Sequence, residues 1–217
     1  MPKQAIVHQA EIVREYGPLP GVEQVGGVTF DGERVWAAVG SHLQSIDPRT
    51  GEPGPRITVP ADAGTAFDGK HFYQLTAGTI QKIDTRTGDV VSTIPSPGAG
   101  KDSGLAWAEG HLWVGQYRDR KIHCIDPRDG TIVRTIESDR FVTGVSWVDG
   151  ELWHGALDND ASELRRIDPG SGEVLDRVEM PTGAFVSGLE SDGGDTFFCG
   201  GGTSGKVRRV RRPRRAR

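Results

Sequence analysis

At 217 residues, 35% of them hydrophobic, the chain is long enough to bury one large core. Thirty-one glycines and 13 prolines suit many short strands joined by turns, and no stretch carries a helical period. The formal net charge is −4, although seven arginines crowd into the last ten residues, so an acidic body carries a basic tail. The N-terminal run has no continuous apolar segment, which argues against a signal peptide or membrane span and predicts a cytoplasmic protein without a membrane partner.

Residues 1–210 are read as a single domain and 211–217 as an Arg-rich tail. That tail is expected to be solvated or folded back on the acidic body, and nucleic acid is not an expected partner. The first strand-like segment, Glu11 to Tyr16, is followed by Gly17-Pro18-Leu19-Pro20 and looks like the end of a unit whose beginning is missing. The repeats downstream explain it.

Their period is about 40 residues. An Ile-Asp-Pro/Thr-x-x-Gly signature begins at Ile46, Ile83, Ile125 and Ile167. In each copy the aspartate can accept from amides two or three residues on, and the glycine closes the turn in the left-handed region. A second marker, an acidic-Gly turn followed by an apolar-aromatic pair, runs through Trp36, Tyr73, Trp113 and Trp153, with a degenerate fifth copy at Gly193-Gly194 before Phe197-Phe198. One large ring per unit fills the wedge between neighbouring blades. The unit from Asp102 to Ile136 shows the whole pattern, with strands at Gly104 to Ala108, Leu112 to Gln116, Lys121 to Ile125 and Thr131 to Ile136.

The fold class that follows is all-β: a five-bladed propeller of four-stranded antiparallel blades. The fifth copy ends without a fourth strand, so the Glu11 to Tyr16 segment is expected to pair with residues 206–210 and close the ring. A monomer is the default. Cys124 and Cys199 fall in strand patterns of different repeats without a CxxC and are read as reduced and buried.

The two kinds of tight turn occupy one rim, and loops of variable length occupy the other, which is where binding is expected. Residues leading into each innermost strand form a small column, Gly26, Ala63, Ser103, Thr143 and Ser187, beside the carboxylates Asp62 and Asp102. The position after each second-strand aromatic reads Ala37, Gln74, Val114, His154 and Cys199. Of six histidines, His154 alone is expected on a second strand close to the variable rim, where an imidazole suits acid or base work. The candidate catalytic residues are therefore His154 and Asp102. The candidate ligand-binding residues are Gln74, Gln116, Tyr117, Arg140, Phe185, Ser103, Thr143, Ser187 and Asp62. The histidines are scattered singly, so no metal site and no cofactor are expected. A small polar metabolite or peptide end is the expected partner, with a non-catalytic protein-interaction propeller as the alternative.

The blade unit Gly-Leu-x-Trp-x-x-Gly-x-Leu-Trp…Ile-Asp-Pro-x-x-Gly resembles that of the glutaminyl cyclotransferase-like propellers and, more loosely, of the streptogramin B lyase family. The likeness spans residues 9–210, and Phe72-Tyr73-Gln74-Leu75-Thr76 is similar to a Leu-Tyr-Gln-Leu-Thr stretch of five-bladed glutaminyl cyclases. The resemblance implies a divergent cyclotransferase- or lyase-like enzyme. The glutamate of a Gly-Glu-Gly-Leu segment in cyclases falls at Asp62-Ala63-Gly64-Thr65 here, and the lyase likeness implies a rim histidine with a glutamate partner, which points to His154 and Glu190.

Overall fold

A computed structural model describes residues 4–213, and every regular element among them is a strand. Two strands come before the first complete blade, β1 (Ile6–Gln9) and β2 (Ile12–Tyr16). Blade 1 is β3 (Gly27–Phe30), β4 (Val35–Ala38), β5 (Leu43–Ile46) and β6 (Pro53–Ile57). Blade 2 is β7 (Thr65–Phe67), β8 (His71–Thr76), β9 (Thr79–Asp84) and β10 (Val90–Pro95). Blade 3 is β11 (Asp102–Ala108), β12 (His111–Gln116), β13 (Lys121–Ile125) and β14 (Ile132–Glu137). Blade 4 is β15 (Phe141–Val148), β16 (Glu151–Asp158), β17 (Ala161–Ile167) and β18 (Val174–Glu179). Blade 5 has only β19 (Gly188–Ser191), β20 (Thr196–Gly200) and β21 (Val207–Arg211) of its own.

The missing strand of blade 5 is β2, antiparallel to β21 with Ile12 opposite Val210 and Tyr16 opposite Val207. The ring thus closes as the sequence suggests, making a five-bladed propeller. The match between Ile12-Val13-Arg14 and Ile132-Val133-Arg134 extends to side chains. Arg134 donates to Pro169 O in the next blade's turn (2.7 Å), and Arg14 donates to Thr50 O in blade 1's turn (2.9 Å). Tyr16 is 2% exposed and its hydroxyl donates to Pro48 O of that same turn. One strand therefore belongs to blade 5 by its ladder and to blade 1 by its side chains.

β1 was not legible as a strand. It runs parallel to β18 as a fifth strand on blade 4, and only Ala10 and Glu11 separate it from β2. The last strand continues to Arg211, one residue into the expected tail. Arg208 pairs with Glu15, Arg209 with Asp192, Arg211 with Glu11 and Arg212 with Asp149. Four arginines of the basic run are thus committed to the acidic body, and Arg214, Arg215 and Arg217 lie outside the described residues.

The repeated turns are built as their sequences dictate. Asp47 Oδ1 accepts from Arg49 N (2.7 Å), Asp84 Oδ1 from Arg86 N and Thr87 N, and Asp168 Oδ1 from Ser171 N, while Gly51, Gly88, Gly130 and Gly172 all have φ between 78° and 87°. These amide bonds hold the aspartates below the ordinary carboxylate range. All five blade interfaces carry an aromatic pair: Trp36–Phe72, Tyr73–Trp107, Trp113–Trp147, Trp153–Phe197 and Phe30–Phe198, with centroids 5.0–5.6 Å apart. Both cysteines are free and buried, and burial pushes the Cys199 thiol up to about 12, so it is an unreactive core residue. Among the described residues, no helix is long and apolar enough to cross a membrane.

Candidate functional site

The axis is organised by glycines. A Cβ at Gly64 would lie 2.5 Å from Leu105 N, one at Gly104 2.7 Å from Val145 N, and one at Gly188 2.6 Å from Val28 N. Gly27 abuts Ala63 and Gly64, and Gly144 abuts Gly188 and Leu189, so five glycines pass the contact from blade to blade around a closed circle. Each innermost strand approaches the next backbone to backbone, which only a residue without a side chain permits.

Above this circle, on the variable rim, lies a depression of about 490 Å³. The structure brings Asp62, Asp102, Ser103, Tyr117, Thr143, Phe185 and Ser187 to its wall, together with Gly26 and Ala63 of the small column. Leu157, Val186, Gln24, Thr203 and Gly202 also line it and were not singled out from sequence. Thr203 and Gly202 do sit in a loop of variable length, Leu157 lies near the rim end of β16, and Gln24 stands two residues before Gly26 of the small column. Those were the available signals.

The three hydroxyls of the small column are engaged by the scaffold. Ser103 Oγ donates to Val142 O (2.7 Å), and Ser187 Oγ donates to Val25 O while accepting from Gly202 N (3.0 Å). Each thus ties its blade to the next. Thr143 Oγ1 is buried against Gly155 without a partner among the described residues. Gly155 and Gly200 on the second strands make room for Thr143 and Ser187, while a Cβ at Gly115 would meet Val142 and Val145.

Asp102 is similarly committed. Its Oδ2 accepts from Ser96 Oγ (2.6 Å) and Gly98 N (3.1 Å), and Oδ1 lies 3.4 Å from Gln116 Nε2. The carboxylate pins the link between blades 2 and 3 and presents a fixed negative charge to the mouth. Asp62 is exposed and has no ion-pair partner among the described residues. Tyr117 is stacked on Phe141 at 4.8 Å, and Phe141 carries the Arg120 guanidinium at 4.7 Å, so the apolar wall is rigidly backed.

Four candidates lie elsewhere. His154 is 1% exposed and faces the cleft between blades 3 and 4. Gln74 is fully buried, with Nε2 donating to Ala63 O and Leu75 O. Gln116 supports Asp102 from behind, and Arg140 is held by Asp158 (2.6 Å) outside the depression. The physical reason is common to the two second-strand residues: β8 and β16 are covered by a neighbouring blade on each face, so a side chain after the aromatic meets a blade and never the channel. Burial lowers the His154 pKa to about 4, leaving it neutral and remote from Asp102's side of the mouth.

Glu190 stands apart on β19, at the position occupied by Thr29, Ala66, Ala106 and Ser146 in the other blades. It accepts from Ser146 Oγ (2.9 Å), Thr29 Oγ1 (3.2 Å) and its neighbour Ser191 N (2.8 Å), gathering three blades around one carboxyl. It is half-buried, with protein packed densely around the carboxyl, and this burial outweighs the three donors and pushes its pKa up to about 7. Since the folded pKa is raised, the group contributes most below its ordinary pKa near 4.5, and stability falls as pH rises towards 7. The expected result is that Glu190→Gln gains stability over the parent by up to about 3 kcal/mol on going from pH 5 to pH 8. Melting curves at the two pH values test it, and a difference that does not change with pH refutes it.

Among the described residues, Glu190 and His154 share no hydrogen bond, the cleft at His154 does not include Glu190, and no group of three His, Cys, Asp or Glu side chains fit to hold a metal occurs.

A glycine-lined axis under an acidic mouth defines the class: a closed five-bladed propeller with a depression over its channel. No protein-family model matches the chain, and no curated protein matches it in sequence. In structure it is similar to the glutaminyl cyclase of Myxococcus xanthus, with a TM-score of 0.78 and 17% identity over 96% of this chain and 98% of that one. It is also similar to a chain of the mitotic checkpoint complex, with a TM-score of 0.52 and 16% identity, covering 88% of this chain and 64% of that one. At such identities the likeness is one of fold, and it agrees with a glutaminyl cyclotransferase-like propeller architecture.

Proposed function

We propose that the channel mouth binds a small amphipathic molecule bearing an ammonium group, with a peptide amino end as the chemistry it fits best. The observation that carries this is the lining itself: two carboxylates, Asp62 and Asp102, no basic side chain, and an apolar wall of Tyr117, Leu157, Phe185 and Val186. A cation with an apolar body meets both surfaces, and a volume near 490 Å³ lies within the usual range of small-ligand sites. An anionic ligand would face uncompensated repulsion.

Binding is favoured over catalysis by the state of the candidate groups. His154 is remote, Asp102 is saturated by the scaffold, and Ala63 stands at the mouth where the cyclase resemblance implies a glutamate. A peptide end nevertheless remains the natural guest for a propeller resembling a glutaminyl cyclase. A thermal-shift panel of small amines on the full chain is the test. A ligand at 100 times its Kd should stabilise the fold by roughly 2.7 kcal/mol. Asp62→Asn and Phe185→Ala should each weaken binding about fivefold, with melting temperatures close to the parent's because both side chains are exposed. Unchanged affinity in both variants would remove the ligand from this mouth.

A further inference from the structure

The cleft between the outer halves of blades 3 and 4 is the feature that the mouth does not use. It encloses about 270 Å³ between Ile122 and Ile136 of blade 3, Ile167 and Val174 of blade 4, and His154, with Glu137, Ser138 and Asp139 also on its wall. His154 Nδ1 lies 3.0 Å from Gly155 O, and since a carbonyl can only accept, Nδ1 carries the proton. Nε2 therefore offers a lone pair. No group among the described residues donates to it, although the residue is 1% exposed. The ring is uncharged at neutral pH because burial disfavours the imidazolium. Asp139, at the edge of the cleft, is already paired with Arg165, so the charge there is answered.

An acceptor that faces a cleft and receives no protein donor is open to a ligand that brings one. An apolar cavity of about 150 Å³ is already enough to hold a benzene-sized molecule. We propose that this cleft is a second binding site, for a small uncharged apolar molecule presenting one hydrogen-bond donor, with the size and polarity of a phenol. The donor meets His154 Nε2 and the ring packs on the isoleucines. The isoleucines and the uncharged imidazole favour an uncharged guest in the interior, with Glu137, Ser138 and Asp139 also on the lining, so the cleft and the mouth differ in the ligand they fit. This site does not depend on the mouth's function.

The test titrates the full chain with phenol and with toluene, which matches it in shape but has no donor, while the histidine ring nitrogens are followed by NMR. Phenol at millimolar concentration should move the His154 Nε2 resonance and bind at least fivefold more tightly than toluene. In His154→Leu, which keeps an apolar cleft without the acceptor, the two should bind alike. An unmoved Nε2 resonance, or equal affinity of the parent for phenol and toluene, overturns the proposal. The parent comparison decides the matter even if the leucine variant does not fold.

Discussion

A chain lacking residues 1–16 is expected to lose cooperative unfolding or to melt far below the full-length protein. The deletion takes β2 from blade 5 and β1 from the edge of blade 4, so the outer strands of two adjacent blades go together. It removes Tyr16 from the core between blades 5 and 1, where it packs with Val28, Ile46 and Phe198. It also bares β21 as a free edge. Loss of a buried aromatic alone costs about 3 to 5 kcal/mol, and domains of this kind have only about 5 to 15 kcal/mol in total. Tyr16→Ala isolates that part and should lower the melting temperature by roughly 10 °C. A truncated chain that melts with the full-length protein would mean that the ring does not depend on this strand.

The second large effect is expected at the axis. Gly144→Ala places a methyl group against the backbone of Gly188 and Leu189, where no side chain can swing aside. Gly104→Ala does the same against Val145 N at 2.7 Å. Because the five contacts form a closed circle, moving one blade outward strains the others. Overpacking typically costs about 1 to 3 kcal/mol, and a clash with backbone in a closed ring belongs at the upper end or beyond. Gly110→Ala is the control for substitution without a clash. Its Cβ would meet nothing within 4 Å, and it should suffer only the modest strain of φ 77°. Chemical denaturation of the three variants ranks them, and a Gly144→Ala protein as stable as Gly110→Ala would contradict the axial packing.

What the sequence could and could not reveal follows from how local each cause is. The Asp-Pro/Thr-x-x-Gly turns and the acidic-Gly hairpins were legible because their geometry is set within five residues by an aspartate, an amide and a left-handed glycine. Closure by β2 was legible because the fifth copy lacks a fourth strand while a strand-like segment, Glu11 to Tyr16, stands without a unit of its own. β1 was not, since four residues with an exposed, weakly alternating pattern carry no turn signal, and its parallel partner lies 170 residues away. The axial glycines follow each residue of the small column, yet their meaning needs the next blade's backbone. His154 and Gln74 were misplaced for the same reason: distance along the second strand tells how near a residue is to the rim, whereas the direction of its side chain is decided by two flanking blades. Asp102, Ser103 and Ser187 do reach the mouth, but only three-dimensional contacts show that their polar atoms are held by the scaffold.

The account of function rests on a mouth that selects a positive charge on an apolar body, and calorimetric titration with leucinamide and with N-acetylleucinamide tests this most directly. The two share a side chain and an amide end and differ in the ammonium group. Leucinamide should bind the full chain, weaken as salt is raised, and lose affinity in Asp62→Asn, while the acetylated compound binds at least tenfold more weakly. Equal binding of the two compounds, or binding of neither, would contradict it.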